Sequence, residues 1–294
     1  MKKMLWIASA LIALASCSAP KQAVKEIGLQ LYSVRELIGS NDKYDANHAE
    51  VFRKLADMGY SNVEVCWYND GKFFGHPVAE FKEEMEKAGL KAISTHVTRN
   101  LSDEELASKD FSAQEAWWKQ CIADHKALGC QYVVVPSFRV PGTLEGLKTY
   151  CDYFNWIGKL CAEQGLKFGY HNHAHEFKKI EDQVIYDFML QNTDPRYVFF
   201  EMDVYWAVVG KAAPCNYFRK YPGRFEMLHI KDVTEVGQSG FVGFDAIFNN
   251  ADVAGLKHYI VEMEGSGVGN ILETCRISAD YLKGADFVKP SYAD

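Results

Sequence analysis

Beyond residue 25 the chain repeats one unit: an amphipathic stretch, a glycine, then a short apolar run rich in Val, Ile, Phe and Tyr. Gly59 leads into NVEVCWY, Gly89 into KAISTHV, Gly129 into YVVVPSF, Gly165 into KFGYHNH and Gly255 into KHYIVEME. A glycine just past a helix supplies a left-handed cap, and runs this short and uniformly apolar fit strands buried on both faces. Adding IGLQLYSVR near the start, VFFEMDVYW after Asp194-Pro195 and FEMLHIKD after Tyr221-Pro222-Gly223 gives eight strand-like runs. The intervening helices are legible as well. Ser112 and Glu115 read as a capping box that opens the stretch carrying Trp117, Cys121, His125 and Leu128. Helices alternating with buried strands predict a parallel sheet, and eight such units predict a single α/β domain, a (β/α)8 barrel over residues 26–294. A Rossmann-like open sheet is the weaker alternative, because no GxGxxG follows a first strand.

The first residues follow a different pattern. MKKMLWIASALIALASC has a charged start (Lys2, Lys3), an apolar stretch too short to span a bilayer comfortably, and small residues before Cys17. Its end, Leu14-Ala15-Ser16-Cys17, resembles the lipobox of bacterial lipoproteins, which implies cleavage before Cys17 and lipid on that thiol. Residues 1–17 are then a signal peptide and 18–25 a tether. The expectation is a periplasmic, membrane-anchored protein that meets the membrane through this lipid alone. The plainer alternative is a secretory signal whose cysteine is accidental. The other seven cysteines form no CxxC pair and mostly fall in apolar runs, as small core residues do.

With 48% hydrophobic and 14% aromatic residues among 294, the chain has ample material for one large core, not for disorder. A net charge of -7 and the lack of a Lys/Arg cluster interleaved with aromatics argue against a nucleic-acid partner.

Four of the later runs end in metal-competent side chains: His171 and His173, Asp203, His229, and Glu262. The strands of a parallel barrel converge on one mouth at their C-terminal ends, where the chemistry of such barrels is done. Alternation puts His171, His173 and His175 on one side of the fifth strand, with Asn172 and Tyr170 facing the helices or rim. A carboxylate in a setting as apolar as Phe199-Phe200-Glu201-Met202-Asp203 must be paired, hydrated or metal-bound. Glu201 lies deeper than Asp203, and its expected partner is a barrel lysine or arginine. Lys231 shares the parity of His229 and Glu264 that of Glu262, so either reaches a substrate or sits on the rim. Glu64 and His96 point to the same mouth as substrate-binding or proton-transfer groups, or as satisfied core polar residues. Trp67, Tyr68, Tyr205 and Trp206 lie near it, where aromatic faces stack on sugar rings.

The phrases YHNHAHEF, MDVYW, LHIKD and IVEME resemble the sugar isomerase/epimerase family of xylose-isomerase-like TIM barrels, from Ile27 to the end of the chain. That resemblance implies one divalent ion, commonly manganese, cobalt, magnesium or zinc. It would be held by a glutamate on the fifth strand, an aspartate on the sixth, a histidine on the seventh and a glutamate on the eighth. Asp203, His229 and Glu262 carry over directly. The fifth-strand position departs from the pattern, because His171 stands where many relatives have glutamate; His173 remains an alternative ligand. The family's two glutamates also trade the proton beside the carbonyl, so the substitution puts that exchange in doubt, with Glu262, His173 and His96 as the candidate bases. Glu64, Lys231, Trp67 and Trp206 are the expected substrate contacts. Barrels of this type often form homodimers.

The expected activity is isomerisation or epimerisation of a keto- or aldo-sugar through an enediolate. A lyase or hydratase acting on 3-keto-glycosides with the same site is the first alternative. A noncatalytic carbohydrate-binding lipoprotein is the second, and metal content with C–H exchange separates it from both. Phosphodiester hydrolysis would need a multi-metal cluster and a basic surface, neither evident in the sequence.

Overall fold

Eight parallel strands form the barrel: β1 (Ile27–Gln30), β2 (Tyr60–Val65), β3 (Lys91–Thr95), β4 (Tyr132–Val135), β5 (Lys167–His171), β6 (Val198–Asp203), β7 (Met227–Ile230) and β8 (His258–Val261). The computed structural model describes residues 24–40, 43–44 and 47–293. Hydrogen-bonded neighbours run β3-β2-β1-β8-β7-β6-β5-β4. The last gap is bridged by Val97 N donating to Val134 O (2.9 Å) and Gln131 N to Ile93 O (2.8 Å). Between strands lie α1 (His48–Met58), α2 (Val78–Ala88), α3 (Glu115–Leu128), α4 (Leu144–Glu163), α5 (Ile185–Asn192), α6 (Pro214–Lys220) and α7 (Phe244–Asn249), and α8 (Ile271–Gly284) closes the ring. The predicted glycine stops hold: α1, for example, ends on Gly59 at φ 102°, a conformation that penalises any side chain.

Strand alternation divides the core. Outward residues such as Phe168, Tyr170, Phe200 and Met202 pack under the helices. Inside, Ile93, Tyr132, Val134, Phe199, Met227 and Ile260 plug the floor of the barrel. Gly169 is required there, since a Cβ on it would sit 2.5 Å from the Phe199 ring. β3 breaks the alternation: Val63 pairs with Ala92 but Glu64 pairs with Ser94, leaving Ile93 as an extra residue. That bulge lets Ile93 join the floor while Ser94 and His96 also reach inward.

Two sequence expectations are corrected. The capping box is formed not by Ser112 and Glu115 but by Ser102 and Glu105, at the start of a short helix, Asp103–Ser108. Ser112 opens a short 3-10 helix (Ser112–Gln114) and its N–H donates to Asp110 Oδ1 (2.9 Å), a charged acceptor two residues earlier, while Glu115 pairs with Lys119 instead. Lys25, assigned to the tether, belongs to the folded body: its buried Nζ donates to Leu282 O (3.0 Å) and Ala285 O (2.5 Å). The signal peptide, Cys17 and residues 18–23 of the tether lie outside the described residues. Among those described, no helix is long and apolar enough to cross a membrane. The seven cysteines other than Cys17 are free thiols, and all but Cys215 are buried.

The loops after β7 and β8, which flank the mouth, are tied together by Glu235. Its carboxylate accepts from Gly267 N (2.9 Å), Val268 N (3.2 Å), Thr274 Oγ1 (2.8 Å) and Thr234 Oγ1 (2.7 Å). Burial alone would raise its pKa, but these donors outweigh it and hold the carboxyl at about 2, against an ordinary 4.5. Because the folded value is depressed, the stabilisation is complete above the unfolded value and lost as pH falls through 4.5 toward 2. Glu235→Gln, which removes the charge and one acceptor, is expected to cost about 1–3 kcal/mol at neutral pH. It should also flatten the acid limb of stability. Urea melts of both proteins from neutral pH into acid check this, and parallel limbs would refute it.

Candidate metal centre and active site

Asp203 is both the last residue of β6 and the N-cap of the next short helix, Val204–Val209. Its Oδ1 accepts the Trp206 N–H (2.8 Å), while Oδ2 is buried with no hydrogen-bond partner. Asn172 holds this strand end in place, accepting from Asp203 N (3.2 Å) and donating to Asp203 O (3.3 Å). Across from it His171 ends β5, with both ring nitrogens buried and unpartnered and Nε2 3.6 Å from Asp203 Oδ2. His229 and Glu262, from the ends of β7 and β8, complete the group. His229 Nδ1 also lacks a hydrogen-bond partner and lies 3.4 Å from Glu262 Oε2.

Orphaned buried polar atoms are costly, and such atoms on three facing residues, His171, Asp203 and His229, call for a common partner. The ligand atoms of His171, Asp203, His229 and Glu262 all lie within 4.8 Å of one another. A tetrahedral site with bonds of about 2.1 Å has ligand-to-ligand edges of about 3.4 Å, close to the spacings observed. Two imidazoles and two carboxylates suit manganese, cobalt, iron or zinc. The donor set and geometry therefore fit one divalent cation.

A second group, Glu64, His96, Glu201 and His229, is equally compact but lies deeper and is largely satisfied, Glu201 Oε1 being its one carboxylate oxygen without a hydrogen bond. Glu64, fully enclosed, accepts from Gln30 Nε2 (2.7 Å), Ser94 Oγ (2.6 Å) and His229 Nε2 (2.7 Å). His96 Nε2 lies 2.9 Å from both Glu64 and Glu201. His229 thus joins the two layers. With Nε2–H donated downward to Glu64, Nδ1 keeps its lone pair for the upper group, the carboxylate–histidine arrangement that orients metal-ligating imidazoles. The deep layer also sets charges. Burial disfavours a charged His96, yet Glu64 and Glu201 raise it to about 9, while burial and the Glu64 charge push Glu201 up to about 7. Burial, aided by the neighbouring His171, lowers His173 to about 3 and leaves it a neutral imidazole.

Above these layers opens a cavity of about 430 Å³ bounded by Tyr32, Trp67, His96, His171, His173 and Glu262. Trp67 sits at its wall, tilted against Tyr32 and edge-on to Phe74, and held by a small three-stranded sheet (Tyr68–Asn69, Lys72–Phe73, His76–Pro77). Lys231 is held by Glu262 (3.1 Å) and Glu264, with its ammonium 5.0 Å from the Trp206 ring centre.

Most of the predicted site residues meet here, with four adjustments. His171, not His173, joins the four-residue group, because β5 ends at His171 and His173 turns into the loop. Glu64 is no substrate contact; it is enclosed below the mouth. His96 sits between two carboxylates that raise its pKa to about 9, which favours a proton donor over a base. Glu201 pairs with histidines, not with a lysine or arginine. The sequence reading passed over Gln30, Ser94 and the buttressing role of Asn172. Gln30 and Ser94 carry the signal that identified Glu64, a polar residue near the end of an apolar strand.

Comparison with known proteins agrees with this fold. A family model described as xylose isomerase-like TIM barrel matches residues 52–290. Two solved structures from Parabacteroides distasonis, each described as a sugar phosphate isomerase/epimerase, share the fold. One is 38% identical with a TM-score of 0.80, covering 90% of this chain and 100% of its own. The other is 33% identical with a TM-score of 0.83, covering 95% and 100%. Inosose dehydratase of Geobacillus kaustophilus is 22% identical over 214 residues, 67% of this chain; the chain spans 65% of that relative's length.

Purified protein is expected to bind one divalent transition-metal ion per chain. Asp203→Asn, whose amide can still cap the helix, and His229→Ala should lose it, while Glu64→Gln should weaken it by about 10–100-fold by releasing the His229 tautomer. Elemental analysis and competitive metal titration measure this; wild-type protein that stays metal-free after incubation with manganese, cobalt or zinc would refute the site.

Proposed function

Because this chain belongs to the xylose isomerase-like TIM barrel family, we propose that it is a divalent-metal-dependent enzyme of the isomerase/epimerase type. Its substrate would be a sugar carrying a hydroxyl beside a carbonyl. The observation that carries the reading is the set of buried, unpartnered His171, Asp203 and His229 atoms beside Glu262 at the mouth of the barrel. When bound, the ion supplies Lewis-acid polarisation of a carbonyl oxygen and balances the negative charge that grows there.

The chain's own residues divide the remaining work. Burial would raise the Glu262 pKa, but His229 and Lys231 hold it well below the ordinary range, so it is a carboxylate able to take the C–H proton beside the carbonyl. Neutral His173 is the second candidate base. The His96 cation, at the cavity wall, is the proton donor, while Lys231, kept charged by Glu262 despite its burial, holds that carboxylate in place. Return of the proton to the neighbouring carbon or to the other face gives an isomer or an epimer. Departure of a β-oxygen gives a lyase instead. One feature favours this second reading: the fifth-strand position is His171, so a paired-glutamate exchange is missing while a proton donor lines the same cavity as the base. The inosose dehydratase relative supports the same direction. The residues bounding the inner cavity include no lysine or arginine, which favours uncharged sugars over phosphorylated ones.

The leader supports a further part of the proposal, an extracytoplasmic enzyme tethered through lipid on Cys17. Cys17→Ser is expected to move the protein from the membrane to the soluble fraction of the producing bacterium, as fractionation with labelled fatty acid would reveal. An unlabelled protein retaining residues 1–17 would overturn it.

Catalysis itself is tested by solvent deuterium exchange into keto-sugars with metal-loaded enzyme. Incorporation at the carbon beside the carbonyl is expected, and Glu262→Gln should slow it by about 10²–10⁴-fold. Metal-loaded protein that exchanges no proton across a panel of keto-hexoses, keto-pentoses and 3-keto-glycosides would leave a carbohydrate-binding role as the better account.

A further inference from the structure

The mouth is not one cavity but two lobes that share His173. The inner lobe is bounded by two of the proposed ligands, His171 and Glu262. The outer, of about 520 Å³ and more open, is bounded by Ser137, His173, Ala174, His175, Lys178 and Trp206. His173 and His175 stack with ring centres 6.0 Å apart and planes 18° apart, and Trp206 lies 5.8 Å from His173. This wall is anchored from below. The buried Glu176 accepts from His173 N (3.0 Å) and from the Tyr170 hydroxyl.

Two polar atoms on the wall are buried without partners, Trp206 Nε1 and His173 Nδ1. An indole N–H can only donate, so Trp206 needs an acceptor oxygen; a neutral imidazole nitrogen pairs with a hydroxyl in either role. Flat aromatic faces combined with unpaired donors and acceptors recognise a sugar ring, whose C–H face stacks while its hydroxyls hydrogen-bond. Catalysis at the metal group alone does not call for this second lobe.

Resting on the reading of the mouth as a sugar site, we infer that the substrate is a glycoside of at least two rings. The reacting ring occupies the inner lobe beside His171 and Glu262, and the second ring occupies the outer lobe against Trp206, His173 and His175. Size selection then lies in the β5 loop.

Titration of the mature, metal-loaded protein with glucose and galactose, and with cellobiose, maltose and lactose, followed by tryptophan fluorescence and calorimetry, tests this. At least one disaccharide is expected to bind about tenfold tighter than its component sugars, which one stacked ring and one hydrogen bond supply. Ala174→Phe, which fills the outer lobe, and His175→Ala, which removes half of the stack, should each bring that ratio close to one. A wild-type ratio of one, no binding of any sugar, or a ratio unchanged in both variants would overturn the inference. Failure of the catalytic reading looks different: disaccharide preference would persist while deuterium exchange is absent. Exchange with monosaccharides and no preference would remove the outer subsite alone.

Discussion

The hydrogen bond from His229 Nε2 to Glu64, 2.7 Å long and wholly enclosed, is the contact on which the rest of the site depends. An imidazole has one proton to place when neutral, and placing it downward frees the other nitrogen upward. Glu64 is in turn fixed by Gln30 and Ser94, from strands on either side of its own. Three adjacent strands therefore determine the tautomer of a residue on β7. A carboxylate buried this deeply is tolerated because its neighbours satisfy both oxygens and the charged His96 balances it. The deep layer is held largely by mutual satisfaction, with only Glu201 Oε1 among its carboxylate oxygens unpaired, whereas the layer above leaves atoms on His171, Asp203 and His229 without partners. That difference is what marks the upper layer as functional.

Much of this was legible in the sequence. The eight runs, their order and the glycine stops follow from periodicity alone, since a strand covered on both faces must be short and apolar. Asp203, His229 and Glu262 were legible because a charged residue closing such a run is expensive unless it has work to do. What alternation could not deliver was the point at which a strand ends. His171 and His173 share parity in an ideal strand, but β5 stops at His171, so only the first of them keeps the inward direction. The same limit applied to Glu64, whose depth depends on strand stagger that no single sequence window reveals. The Ser112 box failed for a local reason, competition from Asp110 for the same N–H.

The loops of the mouth are tied down by carboxylates. Asp203 stands where a strand becomes a helix, so the same carboxyl group ends one element and starts the next. Glu176 and Glu235 each gather backbone N–H groups from the loops around the opening. Buried carboxylates here take the place that hydrophobic packing holds elsewhere in the barrel, since loops at a polar opening have little apolar surface to bury.

The bulge at Ile93 has a meaning for how such a barrel diversifies. Below it β3 contributes a packing residue to the floor; above it the same strand contributes Ser94 and His96. Deleting Ile93 would restore strict alternation with Ser94 and His96 still facing inward, and would take one packing residue out of the floor. A barrel of this kind can thus add a polar layer above an apolar floor without giving up either, by lengthening one strand by a single residue.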